Sequence, residues 1–268
     1  MLTTALLGAL IGLVLAFTGA GGGVLSIPLL VLVLHRPMAE AAPVGLLAVG
    51  LAAALGAAIG LRQGIVRYRA ALLIGLAGVL AAPVGVWLAH RLPALPLQLG
   101  MAALLGWLGW RAWQDSRMPQ GTAPRLEQVP CQVIAPGEPL IWTAPCARAL
   151  AATGLQSGLL SGLVGVGGGF VIVPALQRHT DLDLRSVQAT SLAVIALVSV
   201  SGVGAAIGHG AVSLALALPF AGGAVLALLA GRRWADRLPP AWMKRGFAVL
   251  CVLTAVLMLA RSAQAFSH

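Results

Sequence analysis

Long uncharged stretches divide this chain, and most of them are close in length to a membrane-spanning helix. No Asp, Glu, Lys or Arg occurs within residues 41–61, 70–89, 92–110, 149–177, 186–208, 210–231 and 246–260. An α-helix needs roughly 20 apolar residues to cross the hydrocarbon core of a bilayer. The pattern therefore predicts an all-α polytopic membrane protein.

The same pattern of glycines and prolines occurs twice, at an offset of 146 residues. Gly19-Ala-Gly-Gly-Gly23 is followed by Pro28, and Gly165-Val-Gly-Gly-Gly169 is followed by Pro174. Eight of the 19 positions from 12 to 30 are identical to their counterparts in the second half. Apolar bias produces chance Leu and Ala matches but not an ungapped register of Gly and Pro. We therefore predict an internal duplication.

The duplication divides the chain into a first membrane repeat at 1–113, a polar linker at 114–148 and a second membrane repeat at 149–268. Each repeat is predicted to contain two short segments around the glycines, followed by three longer helices. The short segments are 5–17, 24–34, 151–163 and 170–177, and the longer ones lie near 41–61, 69–90, 95–111, 187–208, 212–231 and 244–261. The short segments form either one long broken helix or a re-entrant hairpin, because each alone is too short for a comfortable span.

Composition narrows the class of protein further. Of 268 residues, 59% are apolar and 9% charged, and the formal net charge is +10. Soluble domains carry about 25% charged residues, so a water-soluble enzyme is excluded, as is a disordered chain. A basic excess is also typical of nucleic-acid-binding proteins. Here the arginines separate apolar runs, which favours membrane orientation by positive charge, so no nucleic-acid partner is expected.

The distribution of basic residues distinguishes the two arrangements of the short segments. If each glycine region is a hairpin that returns to its own side, the second repeat is inverted. The basic residues then divide 14 against 3 between the two sides of the membrane. If each region spans the membrane, they divide 8 against 9. Cytoplasmic loops carry the excess of Lys and Arg. We therefore predict inverted repeats, a cytoplasmic linker, both termini outside, and reduced Cys131 and Cys146.

The glycine runs are candidates for an anion site. Glycine reaches positive φ at little cost, and a helix N-terminus attracts an anion through its N–H groups and dipole. Nearby hydroxyls and amides can also donate to an oxyanion. The alternatives are that the glycines only allow close helix packing and that the hydroxyls bond to helix carbonyls. The predicted substrate-binding residues are Gly21, Gly22, Gly23, Gly167, Gly168, Gly169, Thr18, Gln188, Thr190 and Ser191.

The motif Gly-Xaa-Gly-Gly-Gly-Xaa-Xaa-Xaa-Xaa-Pro, at 19–28 and 165–174, resembles that of the TauE/SafE sulfite exporter family. The stretch Gln188-Ala-Thr-Ser-Leu192 is similar to an Ala-Thr-Ser stretch of the same family. The resemblance covers both repeats. It implies a multi-pass transporter of small sulfur-containing anions, such as sulfite, sulfonates or thiosulfate, in the cell inner membrane. The first repeat has Ala42-Pro-Val-Gly-Leu46 at the corresponding place, so a site that uses Thr190 and Ser191 is asymmetric.

The alternative function is a membrane-embedded enzyme acting on a sulfur compound or lipid. An enzyme needs a cluster of nucleophile, base or metal ligands. The uncharged runs offer only Cys251 as a nucleophile, and the histidines show no spacing typical of metal ligands. We therefore expect no catalytic residues, no metal and no cofactor. The expected partners are the anion and the lipid bilayer, and homo-oligomerisation is left open.

Overall fold

The computed structural model describes residues 1–35, 38–92, 94–117, 131, 142–164, 168–208, 213–235 and 240–266. Within these residues the chain forms the ten α-helices α1 (Leu2–Thr18), α2 (Gly21–Leu34), α3 (Met38–Arg62), α4 (Tyr68–Arg91), α5 (Ala94–Arg117), α6 (Ala144–Val164), α7 (Gly169–His179), α8 (Leu184–Gly208), α9 (Leu214–Ala235) and α10 (Pro240–Phe266). The predicted all-α fold is confirmed.

Several of these helices are suited to cross a bilayer. In the part of the chain that the structure describes, five are long and apolar enough, namely Glu40–Arg62, Tyr68–Ala89, Leu184–Gly204, Ala215–Arg233 and Ala241–Arg261. Large apolar side chains also cover the outside of the bundle: Leu80 is 76% exposed and Leu226 is 70% exposed. Exposed apolar surface on this scale marks contact with lipid or protein rather than with water. The protein is therefore a multi-pass membrane protein.

Two pairs of helices that are distant in sequence pack against each other and run parallel. The α-carbon of Gly8 lies against the backbone of Phe220, and that of Gly12 against the backbone of Ala224. Equal steps along α1 and α9 show that these two helices run parallel. The pair α4 and α6 packs in the same way, since Gly158 lies against Gly78. Small residues let membrane helices approach this closely, and dispersion contacts then hold them together.

Two other pairs run antiparallel. In α3 and α8, Gly50 lies against Ser199 and Gly202 lies against Leu46. In α5 and α10, the Lys244 ammonium near the start of α10 lies 3.4 Å from the carbonyl oxygen of Asp115 near the end of α5. The core between these pairs is built from small and branched apolar residues.

Hydrogen bonds between distant segments show which helix ends lie together. The Arg67 N–H, between α3 and α4, donates to Thr190 Oγ1 near the start of α8 at 3.1 Å. The Arg232 guanidinium near the end of α9 donates to the Gly56 carbonyl oxygen near the end of α3 at 2.8 Å. At the other end of the bundle, the Arg261 guanidinium of α10 donates to the carbonyl oxygen of Val31 in α2 at 2.8 Å.

We call the end of the bundle that contains the Arg67–Thr190 and Arg232–Gly56 hydrogen bonds the arginine-rich end. The end that contains the Arg261–Val31 bond is the opposite end. The arginine-rich end holds the ends of α3, α5 and α9 and the starts of α4, α6, α8 and α10. Described basic residues at or near it are Arg62, Arg67, Arg69, Arg111, Arg117, Arg148, Arg178, Arg185, Arg232, Arg233, Lys244 and Arg245. Those described at or near the opposite end are Arg91 and Arg261.

A disulfide bond joins Cys131 to Cys146 near the start of α6. The two α-carbons are 4.9 Å apart, and the Cys131 N–H donates to the His179 carbonyl oxygen at 3.1 Å. The end of α7 thus holds Cys131 beside α6. The expectation that both cysteines are reduced is wrong for this structure, which contains the oxidised pair. Residues 118–130 and 132–141 of the predicted linker lie outside the described residues.

Candidate functional site

The first glycine cluster forms the tip of a helical hairpin. Gly19 ends α1 in the left-handed conformation, with φ 70°, and its N–H donates to the Leu15 carbonyl oxygen at 2.9 Å. Helix α2 begins two residues later and returns along α1. A β-carbon on Gly22 would lie 2.7 Å from the Ile11 carbonyl oxygen. The break in the helix is therefore at Gly19 and Ala20, just before the run of three glycines.

Gly21, Gly22 and Gly23 are buried and form the first turn of α2. A β-carbon on Gly21 would lie 2.5 Å from the ring of Phe247 in α10 and 2.8 Å from Thr18 Oγ1. At these positions the missing side chain allows Phe247 and Thr18 to pack closely against the start of α2. The glycine run thus stands at a helix start, where the anion hypothesis requires it.

The second hairpin has the same packing contact as the first, but its left-handed glycine lies at a different position of the motif. Gly168 is left-handed, with φ 65°, and precedes the start of α7 at Gly169. A β-carbon on Gly168 would lie 2.5 Å from the Ser157 carbonyl oxygen of α6. Gly168 and Ser157 are the counterparts of Gly22 and Ile11 at the offset of 146 residues. Gly167 lies outside the described residues.

The tips of the two hairpins meet inside the bundle. A β-carbon placed on Gly169, at the start of α7, would lie 3.0 Å from the β-carbon of Ala20. Ala20 is itself the residue that precedes α2 and is 4% exposed. The N-termini of α2 and α7, each beginning with glycine, therefore lie close to one another and away from solvent.

Thr18 uses its hydroxyl within the first hairpin. Its Oγ1 donates to the Val14 carbonyl oxygen at 2.8 Å and accepts the Gly21 N–H at 2.7 Å. A threonine that accepts from a first-turn N–H caps the helix in place of a missing backbone partner. Thr18 therefore fixes the angle between α1 and α2.

Gln188 and Ser191, one turn apart on α8, hold the end of α1. Gln188 Nε2 donates to the Phe17 carbonyl oxygen at 3.1 Å, and Ser191 Oγ donates to the Gly19 carbonyl oxygen at 3.0 Å. The last carbonyls of a helix lack partners within the helix, so side chains of α8 donate hydrogen bonds to them from across the bundle. Thr190 Oγ1 instead accepts the Arg67 N–H.

A cavity of about 860 Å³ lies at the arginine-rich end, between α1, α3, α8 and α9. Gly19 and Gln188 line it, so it reaches the break in the first hairpin. Its remaining polar lining consists of Gln63, Arg185, Arg232 and Arg233. Gln63 and Arg232 are not among the residues predicted from sequence. The signal for Arg232 is its place directly after the uncharged run 210–231.

In the described part of the chain, no three His, Cys, Asp or Glu residues are arranged to hold a metal ion. The sequence matches the family described as sulfite exporter TauE/SafE over residues 4–258. The chain belongs to the TauE/SafE family. TauE/SafE proteins are membrane transporters named for sulfite export, and the five apolar spanning helices agree with that class. The resemblance seen in the glycine motifs is thereby confirmed. No curated protein and no solved structure matches the chain.

Proposed function

We propose that this TauE/SafE protein is a secondary transporter or facilitator of small sulfur-containing anions, such as sulfite, sulfonates or thiosulfate. The observation that carries the proposal is the meeting of the two hairpin tips at Ala20 and Gly169. Broken helices whose N-termini point at an anion near the bilayer midplane are typical of secondary transporters. Irregular backbone at that depth is tolerated where it is buried in protein or lines a watery cavity.

We propose that the two membrane repeats, 1–113 and 149–268, are inverted relative to each other. Helices α3, α4 and α5 begin at residues 38, 68 and 94, and α8, α9 and α10 begin 146 residues later, at 184, 214 and 240. The packing supports a two-fold relation, since α1 packs on α9 while its counterpart α6 packs on α4. Each hairpin is then re-entrant and enters from its own side of the membrane.

We propose that the arginine-rich end faces the cytoplasm of a cell whose inner membrane holds the protein. Twelve described basic residues lie at this end and two at the other, and the positive-inside rule assigns such an end to the cytoplasm. Both termini then lie outside. The Cys131–Cys146 disulfide lies at the same end. Disulfides in the cytoplasm are usually transient, so we expect this bond to be reversible in the cell.

Within the site, we propose different roles for the predicted residues. The N–H groups at the start of α2, from Gly22 and Gly23, and those at the start of α7, from Gly168 and Gly169, bind the anion with help from the two helix dipoles. The Gly21 N–H is held by Thr18 Oγ1, so Gly21 acts in packing the tip rather than as a donor, and Gly167 lies outside the described residues. Gln188 touches the break and lines the cavity, so its amide is placed to bind the anion as well. Thr18 and Ser191 position the tip, and Thr190 positions the segment between α3 and α4.

The direct test is anion flux in proteoliposomes. Purified protein should carry labelled sulfite, methanesulfonate or thiosulfate faster than protein-free liposomes, and the anion should be recovered chemically unchanged. Absence of flux for all three anions with folded protein would contradict the proposal. Conversion of the anion into another compound would instead favour the membrane-embedded enzyme.

Gly22→Leu tests whether the hairpin tip is needed for that flux. The new side chain would meet the Ile11 carbonyl oxygen, which already lies 2.7 Å from a β-carbon at this position. We expect flux to be lost while insertion into the membrane persists. Gly106→Leu in α5 is the matched control, because nothing described lies within 4 Å of a β-carbon there. Equal loss of flux in both variants would refute a special role for the tip.

A further inference from the structure

The cavity at the arginine-rich end has the chemistry of an anion site. Arg185, Arg232 and Arg233 line it together with two glutamines, and the described lining contains no acidic residue. A guanidinium matches the planar geometry of an oxyanion and can bind it with two hydrogen bonds. A cleft lined with charge of one sign and walled by apolar protein raises the local concentration of the opposite ion.

Arg232 is the arginine best fixed in this cavity. It is half-buried, whereas Arg185 and Arg233 are exposed, and its Nη1 donates to the Gly56 carbonyl oxygen at 2.8 Å. A guanidinium carries five N–H donors in a rigid fork, and the bond to Gly56 orients that fork at the cavity wall. Arg232 therefore offers a positioned cation between the outer cavity and the break at Gly19.

Three of the polar lining residues have apolar counterparts in the other repeat. At the offset of 146 residues, Arg185, Gln188 and Arg232 correspond to Ala39, Ala42 and Val86. The duplication keeps the glycines of the hairpins in both halves, but it places these polar residues in the second half alone. At these three positions the first repeat therefore supplies no equivalent anion ligand.

We propose that the cavity is a capture site for an oxyanion, with Arg232 and Arg185 as ligands, and that it makes anion binding unequal on the two faces of the membrane. The anion binds first to the guanidinium groups and then passes Gln188 to the hairpin tips. Its release toward the opposite end passes the counterparts of these ligands, Ala39, Ala42 and Val86, which carry no charge. The inference rests on the proposed transport function, and it adds a binding step and a sidedness that the family does not supply.

The test compares Arg232→Gln with Arg69→Gln, using sulfite as the probe. Arg69 lies at the same end near the start of α4 and does not line the cavity, so the two variants lose the same charge. A hydrogen bond between charged groups is worth enough to change affinity about tenfold or more. We therefore expect Arg232→Gln to raise the KM for sulfite at least that much from the arginine-rich face, and Arg69→Gln to leave it nearly unchanged.

Inside-out and right-side-out vesicles separate the two faces. We expect the wild-type KM to be lower from the arginine-rich face, and Arg232→Gln to remove most of that difference. Equal KM values from both faces in the wild type, or equal effects of the two variants, would overturn the capture site. A wild type without flux for any sulfur anion would instead defeat the transport function itself.

Two further variants keep the test decisive if Arg232→Gln fails to insert because the bond to Gly56 is lost. Arg232→Lys keeps the charge but not the planar fork, so its KM should lie between those of the wild type and Arg232→Gln. Arg185→Gln changes an exposed side chain at the mouth of the cavity and should also raise the KM from this face alone. An unchanged KM in both variants would contradict the proposal.

Discussion

At the scale of single residues, the clearest roles in helix packing belong to glycines. Gly8, Gly12 and Gly158 each place one helix backbone against another, and this contact replaces the hydrophobic driving force that helices lack inside a lipid bilayer. The sequence repeats these glycines but does not distinguish them from glycines that face open space, such as Gly106. Only the packing of α1 on α9 and of α4 on α6 separates the two groups.

Gly12→Ala should lower the thermal stability of the purified protein. Its β-carbon would overlap the Ala224 carbonyl oxygen, and overpacking typically costs about 1–3 kcal/mol. Gly106→Ala, in open space, should be neutral or stabilising, because alanine is a better helix former than glycine by about 1 kcal/mol. Thermal unfolding of both variants in detergent is the measurement. Equal melting temperatures would refute the close contact between α1 and α9.

At the scale of elements, the sequence predicts the helices well but not their partners. Helix starts follow from uncharged runs and glycine clusters, so α3, α4, α8 and α9 lie close to their predicted ranges. Partners do not follow, because these helices are apolar on nearly every face and periodicity points to no single neighbour. The predicted break, between residues 17 and 24, includes the observed turn at Gly19 and Ala20 but is too long, because Gly21–Gly23 form the first turn of α2.

The polar residues of α8 show the same limit. The sequence singles out Gln188, Thr190 and Ser191 but does not reveal what they bind, because a membrane serine bonds equally well to backbone or ligand. The structure places Gln188 and Ser191 on the carbonyls that end α1. In the structure these two side chains hold α8 against α1. The proposed contact of Gln188 with the anion is a second role.

Ser191→Ala should therefore weaken the junction between α8 and α1. It leaves the buried Gly19 carbonyl oxygen without the donor at 3.0 Å, which costs about 1–3 kcal/mol. Ser199→Ala is a control on the same helix, because its buried hydroxyl has no hydrogen-bond partner among the described residues. We expect a lower melting temperature and lower sulfite flux for Ser191→Ala alone. A matching loss in Ser199→Ala would contradict the bond to Gly19.

At the scale of the whole molecule, the two ends of the bundle differ in charge. The sequence predicts this difference because basic residues can be counted along the chain. It cannot predict the cavity at the arginine-rich end, which α1, α3, α8 and α9 enclose from distant parts of the sequence. Gln63 and Gln188 lie 125 residues apart in sequence, and only the fold brings them to one cavity.

Cysteine labelling tests the proposed orientation. Single cysteines at Gln63, between α3 and α4, and at Leu92, between α4 and α5, would be placed in a chain whose own three cysteines are replaced. A membrane-impermeant maleimide should label Leu92→Cys in intact cells and Gln63→Cys only in inside-out vesicles. The reverse pattern would show that the arginine-rich end faces outward and that the Cys131–Cys146 bond lies in an oxidising compartment.

The parallel contact between α1 and α9 can form only late in the synthesis of the chain. Gly8 packs against Phe220, which the ribosome adds 212 residues later. At about 5–20 residues per second, α1 waits roughly 10–40 s in the membrane before its partner exists. During that time α2 packs on one side of α1, and the face that later meets α9 is exposed to lipid or to the insertion machinery. The almost wholly apolar sequence of α1 suits both lipid and the packed bundle, and α1 is among the last of the described helices to complete its contacts.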